Sequence, residues 1–327
     1  MRNACRATTV FFLLVISYHT DAQEKPTPGI PTSVTVEFFF SASPKNAGSS
    51  AQITAGDISV LDEGSQIPSI ELKGLGNSPV ALGILLDGSP QGRTVYAGGP
   101  TVAEEEKVIS NFAKTAVGDR DKILPIRFAV GAPSLAGVIN LSEQAEMRHV
   151  VDAGQNPHAG VDLFQAVAAY QGELGNDRGV RKAVLIIANG GTFLGPELYK
   201  QIVETALRDK IVLSVCDAYP GPGRYGPRGP TDAMMPRTDL PEQVIRLANS
   251  VKQSLRDLAT DTGGFYQEGG LRNALLLLQQ QMNSQYMVTY SSSASAGQQT
   301  RKFHSVRIRS TNGSFAIQAP KGYYPSN

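Results

Sequence analysis

The stretch Val80-Ala-Leu-Gly-Ile-Leu-Leu-Asp87-Gly-Ser-Pro-Gln91 carries the clearest structural signal in this sequence of 327 residues. Seven small or apolar residues precede the first charge without interruption, which is typical of a parallel strand buried on both faces. Asp87 follows directly, so the strand would place a carboxylate at its carboxyl end. In open parallel sheets, ligands bind at that end of the strands.

Strand-like and helical patterns alternate after this stretch. Strands are predicted at residues 122–130, 137–141, 182–188, 211–216 and 265–266. Pro125 weakens the first of these because proline cannot donate to a ladder. Helices are predicted at residues 102–116, 142–152, 163–174, 198–207, 244–258 and 271–282. The alternation predicts an α/β fold with Rossmann-like topology, in which helices flank a doubly wound, mostly parallel sheet.

The two ends of the chain have a different, β-rich character. Short alternating runs at residues 33–40, 57–61 and 67–72 predict an N-terminal β module, and similar runs at 285–290, 304–309 and 315–319 predict a tail of antiparallel strands. We expect the tail strands to pair with the N-terminal module in one small sheet. The predicted division is a signal segment at 1–22, the β module at 23–77, the α/β domain at 78–283 and the tail at 284–327.

The first 22 residues have the pattern of an export signal. Arg2 and Arg6 precede an apolar run at 10–16, and Ala22 offers a small residue for cleavage. The apolar run is about half of the ~20 residues that a membrane-spanning helix needs. We therefore expect cleavage near Ala22, a secreted or periplasmic location, and no membrane span in the mature chain.

Charge and cysteine content narrow the classes of partner. A formal net charge of +1 without a Lys/Arg stripe disfavours nucleic acid and acidic membranes as partners. Cys5 would leave with the signal, so Cys216 would be alone and is predicted to be a small buried hydrophobe. The acidic run Glu104-Glu105-Glu106 is predicted to be a solvated first turn of a helix.

Polar residues follow the predicted strands of the sheet. Asp87, Ser89 and Gln91 come after the first strand, and Asn189 comes after the strand at 182–188. The turn His158-Ala-Gly-Val-Asp162 leads into the predicted helix at 163–174. Because the carboxyl ends of parallel strands meet at one edge of a sheet, we expect these residues to share that edge.

The order of these segments resembles the von Willebrand factor type A fold, and more closely the bacterial exported proteins called von Willebrand type A-related. The resemblance covers roughly residues 33–325. Besides the sheet, it rests on Asp57-Ile-Ser-Val-Leu-Asp-Glu-Gly64, Leu258-Ala-Thr-Asp-Thr-Gly-Gly264, Gln285-Tyr-Met-Val-Thr-Tyr290 and Pro320-Lys-Gly-Tyr-Tyr324.

The resemblance implies a metal-ion-dependent adhesion site at the carboxyl edge of the sheet. Metal-bearing members hold Mg²⁺ or Mn²⁺ with an Asp-x-Ser-x-Ser motif, a threonine before a helix and the aspartate of a Thr-Asp-Gly motif. Asp87 and Ser89 match this pattern. Gln91, Val161 and Asn189 stand where the second serine, the threonine and the aspartate are expected.

These departures predict a degenerate metal site. Val161 has no side-chain oxygen, and Gln91 and Asn189 offer only uncharged amide oxygens, whereas Mg²⁺ gives up its hydration reluctantly. Asp162 would have to replace the missing threonine through a re-aimed turn. We therefore expect no tight cofactor, with weak binding of Mg²⁺ or Mn²⁺ as the alternative.

The long segment at 219–241 is predicted to be a loop at the same edge of the sheet. Its Gly221-Pro-Gly-Arg-Tyr-Gly226 stretch fits the spacing of a dinucleotide motif, but prolines interleave it and no helix opens from it. The segment is longer than the ~12 to 15 residues of an ordinary connection, so it is either a flexible loop or a partner-binding loop. In the second case, the contacts would come from Tyr219, Arg224, Tyr225 and Arg228.

No arrangement in the sequence points strongly to catalysis. Ser89 lacks the G-x-S-x-G elbow of an α/β-hydrolase, and the histidines outside the signal do not pair at metal-ligand spacing. We therefore predict a non-enzymatic binding or scaffolding protein that acts on a protein or cell-envelope partner. The alternatives are a metal-dependent hydrolase or adhesion module that uses Asp87, Ser89 and Asp162, and a purely structural envelope component.

Overall fold

The computed structural model describes residues 34–46, 52–87, 102–116, 121–128, 134–135, 139–140, 180–188, 196–218, 242–292 and 302–325. Elements are numbered in chain order within these ranges. The strands are β1 (Val34–Pro44), β2 (Ile58–Asp62), β3 (Ser65–Gln66), β4 (Glu71–Gly74), β5 (Val80–Asp87), β6 (Lys122–Phe128), β7 (Ser134–Leu135), β8 (Ile139–Asn140), β9 (Arg181–Ala188), β10 (Ile211–Asp217), β11 (Tyr266–Glu268), β12 (Gln285–Ser292), β13 (His304–Ser310), β14 (Phe315–Gln318) and β15 (Gly322–Tyr323). The helices are α1 (Val102–Ala116), α2 (Pro196–Arg208), α3 (Glu242–Asp261) and α4 (Leu271–Asn283).

A parallel sheet forms the centre of the α/β part. Its five parallel strands have the order β11-β10-β9-β5-β6, and the short strands β7 and β8 pair antiparallel with the outer edge of β6. The α/β class and the parallel sheet predicted from the sequence are confirmed. Pro125 lies on β6 between the residues that pair with β8 and those that pair with β7, so the missing N–H falls in a gap of the outer ladder.

Helices pack against both faces of this sheet. On β9, Val184 and Ile186 belong to an apolar cluster with residues of α2 and α3, whereas Leu185 and Ile187 belong to a cluster with residues of α1 and α4. Successive side chains of a strand point to opposite faces, so a strand covered on both sides needs an unbroken apolar sequence. This requirement explains the apolar runs in β5, β9 and β10.

The N-terminal and C-terminal strands form two antiparallel sheets. One has the order β14-β1-β12-β4, and the other has the order β15-β13-β2-β3. The expected pairing between the chain ends is therefore present, but the expectation of one small sheet was wrong. Alternate residues of both sheets meet in a shared apolar core made of Val36, Phe38, Phe40, Ala42, Ile53, Ile58, Val60, Val288, Tyr290, Val306, Ile308, Phe315 and Tyr323. Two sheets allow both sets of apolar faces to be buried against each other.

Some element boundaries differ from the predictions. The strand expected at 67–72 is displaced to β4, because Pro68 interrupts the run after Ile67. The helices predicted at 142–152 and 163–174 lie outside the described residues. Among the helices that the structure describes, none has the length and apolar character needed to cross a bilayer.

A close approach fixes the end of α3 against the sheet. The buried Thr262 hydroxyl accepts a hydrogen bond of 3.1 Å from the Leu213 N–H and lies 2.9 Å from the Leu258 carbonyl, to which it donates. A Cβ on Gly264 would come within 1.9 Å of the Leu213 carbonyl oxygen. The Thr-Gly-Gly stretch is therefore required by the contact between α3 and β10.

Candidate functional site

The carboxyl edge of the parallel sheet contains a topological switch point. From β5 the chain continues to β6 on one side, and the next parallel strand that the structure describes, β9, lies on the other side of β5. The connections therefore leave β5 and β9 in opposite directions. Such a divergence opens a crevice beyond the ends of the two strands, where α/β proteins bind their ligands.

Three strands end at the same level at this edge. Leu86 of β5 and Cys216 of β10 both pair with Ile187 of β9, so Asp87 and Asp217 are level with each other, one residue further along. The strands that carry them are separated by β9 alone, which places the two backbones roughly 10 Å apart at ordinary strand spacing. Two acidic residues thus end the strands on either side of β9, at the edge of the sheet that contains the switch point.

The structure describes only part of the predicted site. Asp87 is the last residue of β5, as expected. The structure describes its backbone only. The other predicted metal-site positions, Ser89, Gln91, Val161, Asp162 and Asn189, lie outside the described residues, and so do Tyr219, Arg224, Tyr225 and Arg228. The segment at 219–241, which carries the last four, follows β10 in the chain after Ala218.

Asp217 was not singled out in the sequence, yet it is the best-defined polar residue at this edge. It is buried, and its Oδ2 accepts a hydrogen bond of 2.7 Å from the hydroxyl of Tyr266 on the neighbouring β11. Burial and the bond to the Asp217 carboxylate raise the pKa of the Tyr266 hydroxyl. The Arg256 guanidinium covers the Tyr266 ring, 5.1 Å from its centroid. Tyr266 is therefore a fixed donor that holds Asp217 in place.

Glu105 corrects the prediction of a solvated acidic turn. Glu104 is exposed, but Glu105 on α1 has only 1% of its surface accessible. It occupies the same helical face as the buried residues Ile109 and Phe112, since positions three, four and seven apart lie together on a helix. That spacing was visible in the sequence, but the run of three glutamates favoured the solvated interpretation.

Cys216 lies between these acidic groups. Its side chain is fully buried, as predicted, and the structure has it as a free thiol. Burial, together with the smaller effect of the negative charges of Asp217 and Glu105, raises the pKa of the Cys216 thiol from 9.0 to about 12. A thiol in this state is a poor nucleophile, because the thiolate is the reactive form.

A second concave feature lies between the β sandwich and the α/β part. It is a cleft of about 280 Å³ between β1 and the turn that joins α2 to β10. Only residues 41–44 of β1 pair with β14, so residues 34–40 have one edge without a strand partner in the described part of the chain. An ion pair of 3.2 Å between Lys210 Nζ and Glu37 Oε2 crosses the cleft.

Comparisons with known proteins found similar solved structures but no similar protein sequence or family model. No protein-family model matches the chain, and no curated protein sequence matches it significantly. The conserved hypothetical protein BatB from Bacteroides thetaiotaomicron is 17% identical, with a TM-score of 0.42 over 62% of this chain and 97% of that one. An aerotolerance-related membrane protein from Bacteroides fragilis is 16% identical, with a TM-score of 0.41 over 62% and 98% of the two chains.

Another similar structure is proximal thread matrix protein 1 from the mussel byssus, with a zinc-occupied MIDAS motif. It is 8% identical, with a TM-score of 0.42 over 68% of this chain and 50% of that one. Identities of 8% to 17% with TM-scores near 0.4 do not establish membership of a family.

Proposed function

We propose that the chain is an exported, non-enzymatic binding protein whose von Willebrand factor type A-like, doubly wound domain engages a protein or cell-envelope partner. The binding face is the carboxyl edge of the parallel sheet. The observation that carries this proposal is the switch point between β5 and β9, together with the common level of Asp87 and Asp217 at that edge. The export-signal pattern of residues 1–22 in the sequence supports the proposal of export.

The polar groups described at this edge suit a scaffold better than a reaction centre. Asp217 accepts a hydrogen bond from the Tyr266 hydroxyl, which burial keeps protonated. The Cys216 thiol is also protonated at neutral pH. A nucleophile must be activated by a lowered pKa or by an adjacent base. Both shifts run in the opposite direction, so neither Cys216 nor Tyr266 is prepared to attack a substrate.

Attraction for the partner would come from the loop at 219–241 rather than from a metal ion. The predicted loop follows β10 in the chain, and Arg224 and Arg228 would supply positive charge that can pair with carboxylates. Tyr219 and Tyr225 supply amphipathic contact area of the kind that dominates interfaces. The sequence departures at Gln91, Val161 and Asn189 leave few charged ligands for Mg²⁺.

The rival function is a metal-assisted hydrolase that uses Asp87, Ser89 and Asp162. A screen of ester, phosphoester and peptide substrates in Mg²⁺ or Mn²⁺ separates the two functions. The binding proposal expects no turnover above that of an Asp87→Ala variant. Robust turnover that Asp87→Ala abolishes would overturn it.

A further inference from the structure

Asp62 and His304 form a buried polar cluster within the β sandwich, on strands that do not belong to the parallel sheet. Asp62 ends β2, and His304 begins β13, where it pairs with Tyr323. Asp62 is 2% exposed and His304 is 6% exposed. Glu63 follows Asp62 in the hairpin and is exposed, and potential ligand atoms of all three residues lie within 4.8 Å of one another.

The hydrogen bonds to the Asp62 carboxylate go to one of its two oxygens, and burial and the nearby Asp62 charge raise the pKa of the buried Tyr290 hydroxyl. Asp62 Oδ2 accepts hydrogen bonds from the Ser292 hydroxyl at 2.6 Å and from the Tyr323 hydroxyl at 3.1 Å. Its Oδ1 is buried and has no hydrogen-bond partner. Buried polar atoms are nearly always satisfied, so an oxygen left open beside two donors to its twin requires an explanation.

His304 also has a buried polar atom without a hydrogen-bond partner. Its Nδ1 is buried without a hydrogen-bond partner, although the Asp62 carboxylate is within reach of a small ion. The ring is fixed by stacking on Tyr323, with 5.4 Å between centroids. An imidazole and a carboxylate whose potential ligand atoms lie within 4.8 Å of each other, each with a buried atom that has no hydrogen-bond partner, are suited to bind one ion together.

Glu63 is positioned by the hairpin that joins β2 to β3. The two-residue loop Glu63-Gly64 has positive φ values of 50° and 81°, as a type I′ turn requires. The backbone of Glu63 donates to the Ser305 carbonyl at 2.9 Å, and Glu63 Oε1 accepts from the Ser305 N–H at 2.6 Å. The exposed carboxylate is therefore tied to β13 next to His304, at the mouth of the cluster.

We propose that Asp62, Glu63 and His304 form a binding site for a first-row divalent cation of the Zn²⁺ class. One imidazole with two carboxylates is a ligand set that suits Zn²⁺, and three protein ligands leave a fourth position toward solvent beside Glu63. Ser292 and Tyr323 orient the Asp62 carboxylate from behind, as outer partners of metal ligands do. The ion would clamp the β2–β3 hairpin to β13.

The test is calorimetric titration of the purified, tag-free and metal-stripped full chain with Zn²⁺, together with thermal melting with and without Zn²⁺. We expect saturable one-to-one binding and a rise in melting temperature. Glu63→Gln should weaken binding by about tenfold or more, since removal of even an outer partner costs that much. The amide keeps an acceptor for the Ser305 N–H, so this variant should fold.

Two control variants make the assignment specific. Glu71→Gln removes an exposed carboxylate from β4 of the same sandwich and should leave Zn²⁺ binding unchanged. Asp87→Ala removes the strand-end carboxylate of the parallel sheet and should also leave it unchanged. His304→Gln should abolish the Zn²⁺-dependent rise in melting temperature.

Several results would overturn the proposal. Absence of saturable Zn²⁺ binding would mean that an ordered water fills the space between Asp62 and His304. Affinity that is equal in wild type and Glu63→Gln would place the ion elsewhere. Affinity lost in Asp87→Ala would assign the ion to the edge of the parallel sheet.

Discussion

The hydroxyl of Tyr266 donates a hydrogen bond of 2.7 Å to Oδ2 of Asp217, and this contact joins the first residue of β11 to the carboxyl end of β10. Tyr266→Phe removes the donor while keeping the ring. We expect the free energy of unfolding to fall by about 1–3 kcal/mol, because a buried carboxylate oxygen loses a charge-assisted bond. Urea unfolding measures the change.

Tyr286→Phe is the matched control for this variant. The Tyr286 ring stacks on Phe40, with 5.8 Å between centroids, and its hydroxyl makes no hydrogen bond to any residue of the described ranges. The free energy of unfolding of Tyr286→Phe should therefore differ from that of the wild type by less than about 0.5 kcal/mol. Equal losses in both variants would mean that the Asp217 bond contributes nothing specific.

Gly264 tests the close packing of α3 against β10. Gly264→Ala would drive a Cβ into the Leu213 carbonyl oxygen, so we expect destabilisation on the order of 3 kcal/mol. Gly56→Ala is the control, since a Cβ there comes no closer than 3.9 Å to a neighbouring atom. Thermal unfolding of both variants checks the contrast, and a stable Gly264→Ala protein would contradict this packing.

Cys216 should be protected from alkylation. In a Cys5→Ser background at pH 8.5, iodoacetamide should label the native protein far more slowly than the unfolded protein, because the thiol is buried and its pKa is about 12. The folded pKa lies above the ordinary 9.0, so the thiol's contribution to stability is complete below pH 9 and is lost as the pH rises toward 12. Rapid stoichiometric labelling of folded protein would show that the thiol is accessible.

The strands of the parallel sheet could be predicted because burial on both faces of the sheet leaves an apolar run in the sequence of each strand. β9 and β10 are covered on both faces, so residues 183–188 are all apolar, residues 211–216 are apolar except Ser214, and both runs stand out in the sequence. The pairing of the chain ends was harder, since Val36 pairs with Tyr290 and nothing local specifies that register. Alternation identified the strands but could not say whether they form one sheet or two.

The polar residues of interest were missed for two different reasons. Glu105 has a helical-face signal that the adjacent glutamates concealed. Asp62 and His304 carry no local signal at all, because they are far apart in sequence and meet only when β2 and β13 enter the same sheet. Asp87 was found because a strand-end carboxylate is a local pattern.

Titration with Mg²⁺ tests whether the adhesion-type site is degenerate. We expect no saturable, Asp87-dependent binding in the micromolar range. Val161 lacks the ligand oxygen of the expected threonine, and Asn189 lacks the negative charge of the expected aspartate. Isothermal calorimetry of wild type and Asp87→Ala measures this directly. One-to-one micromolar binding in wild type that is absent from Asp87→Ala would contradict the expectation.

The central claim is that the carboxyl edge of the parallel sheet binds a partner through the loop at 219–241 and without a metal ion. Its most direct test compares affinity capture from the native envelope and extracellular fraction by wild type and a Tyr225→Ala/Arg228→Ala double variant, both in EDTA. We predict that the wild type retains a specific partner in EDTA and that the double variant, with an unchanged melting curve, captures about tenfold less, a loss of ~1.4 kcal/mol in binding. Equal capture by the two proteins, or capture that EDTA abolishes, would contradict the account.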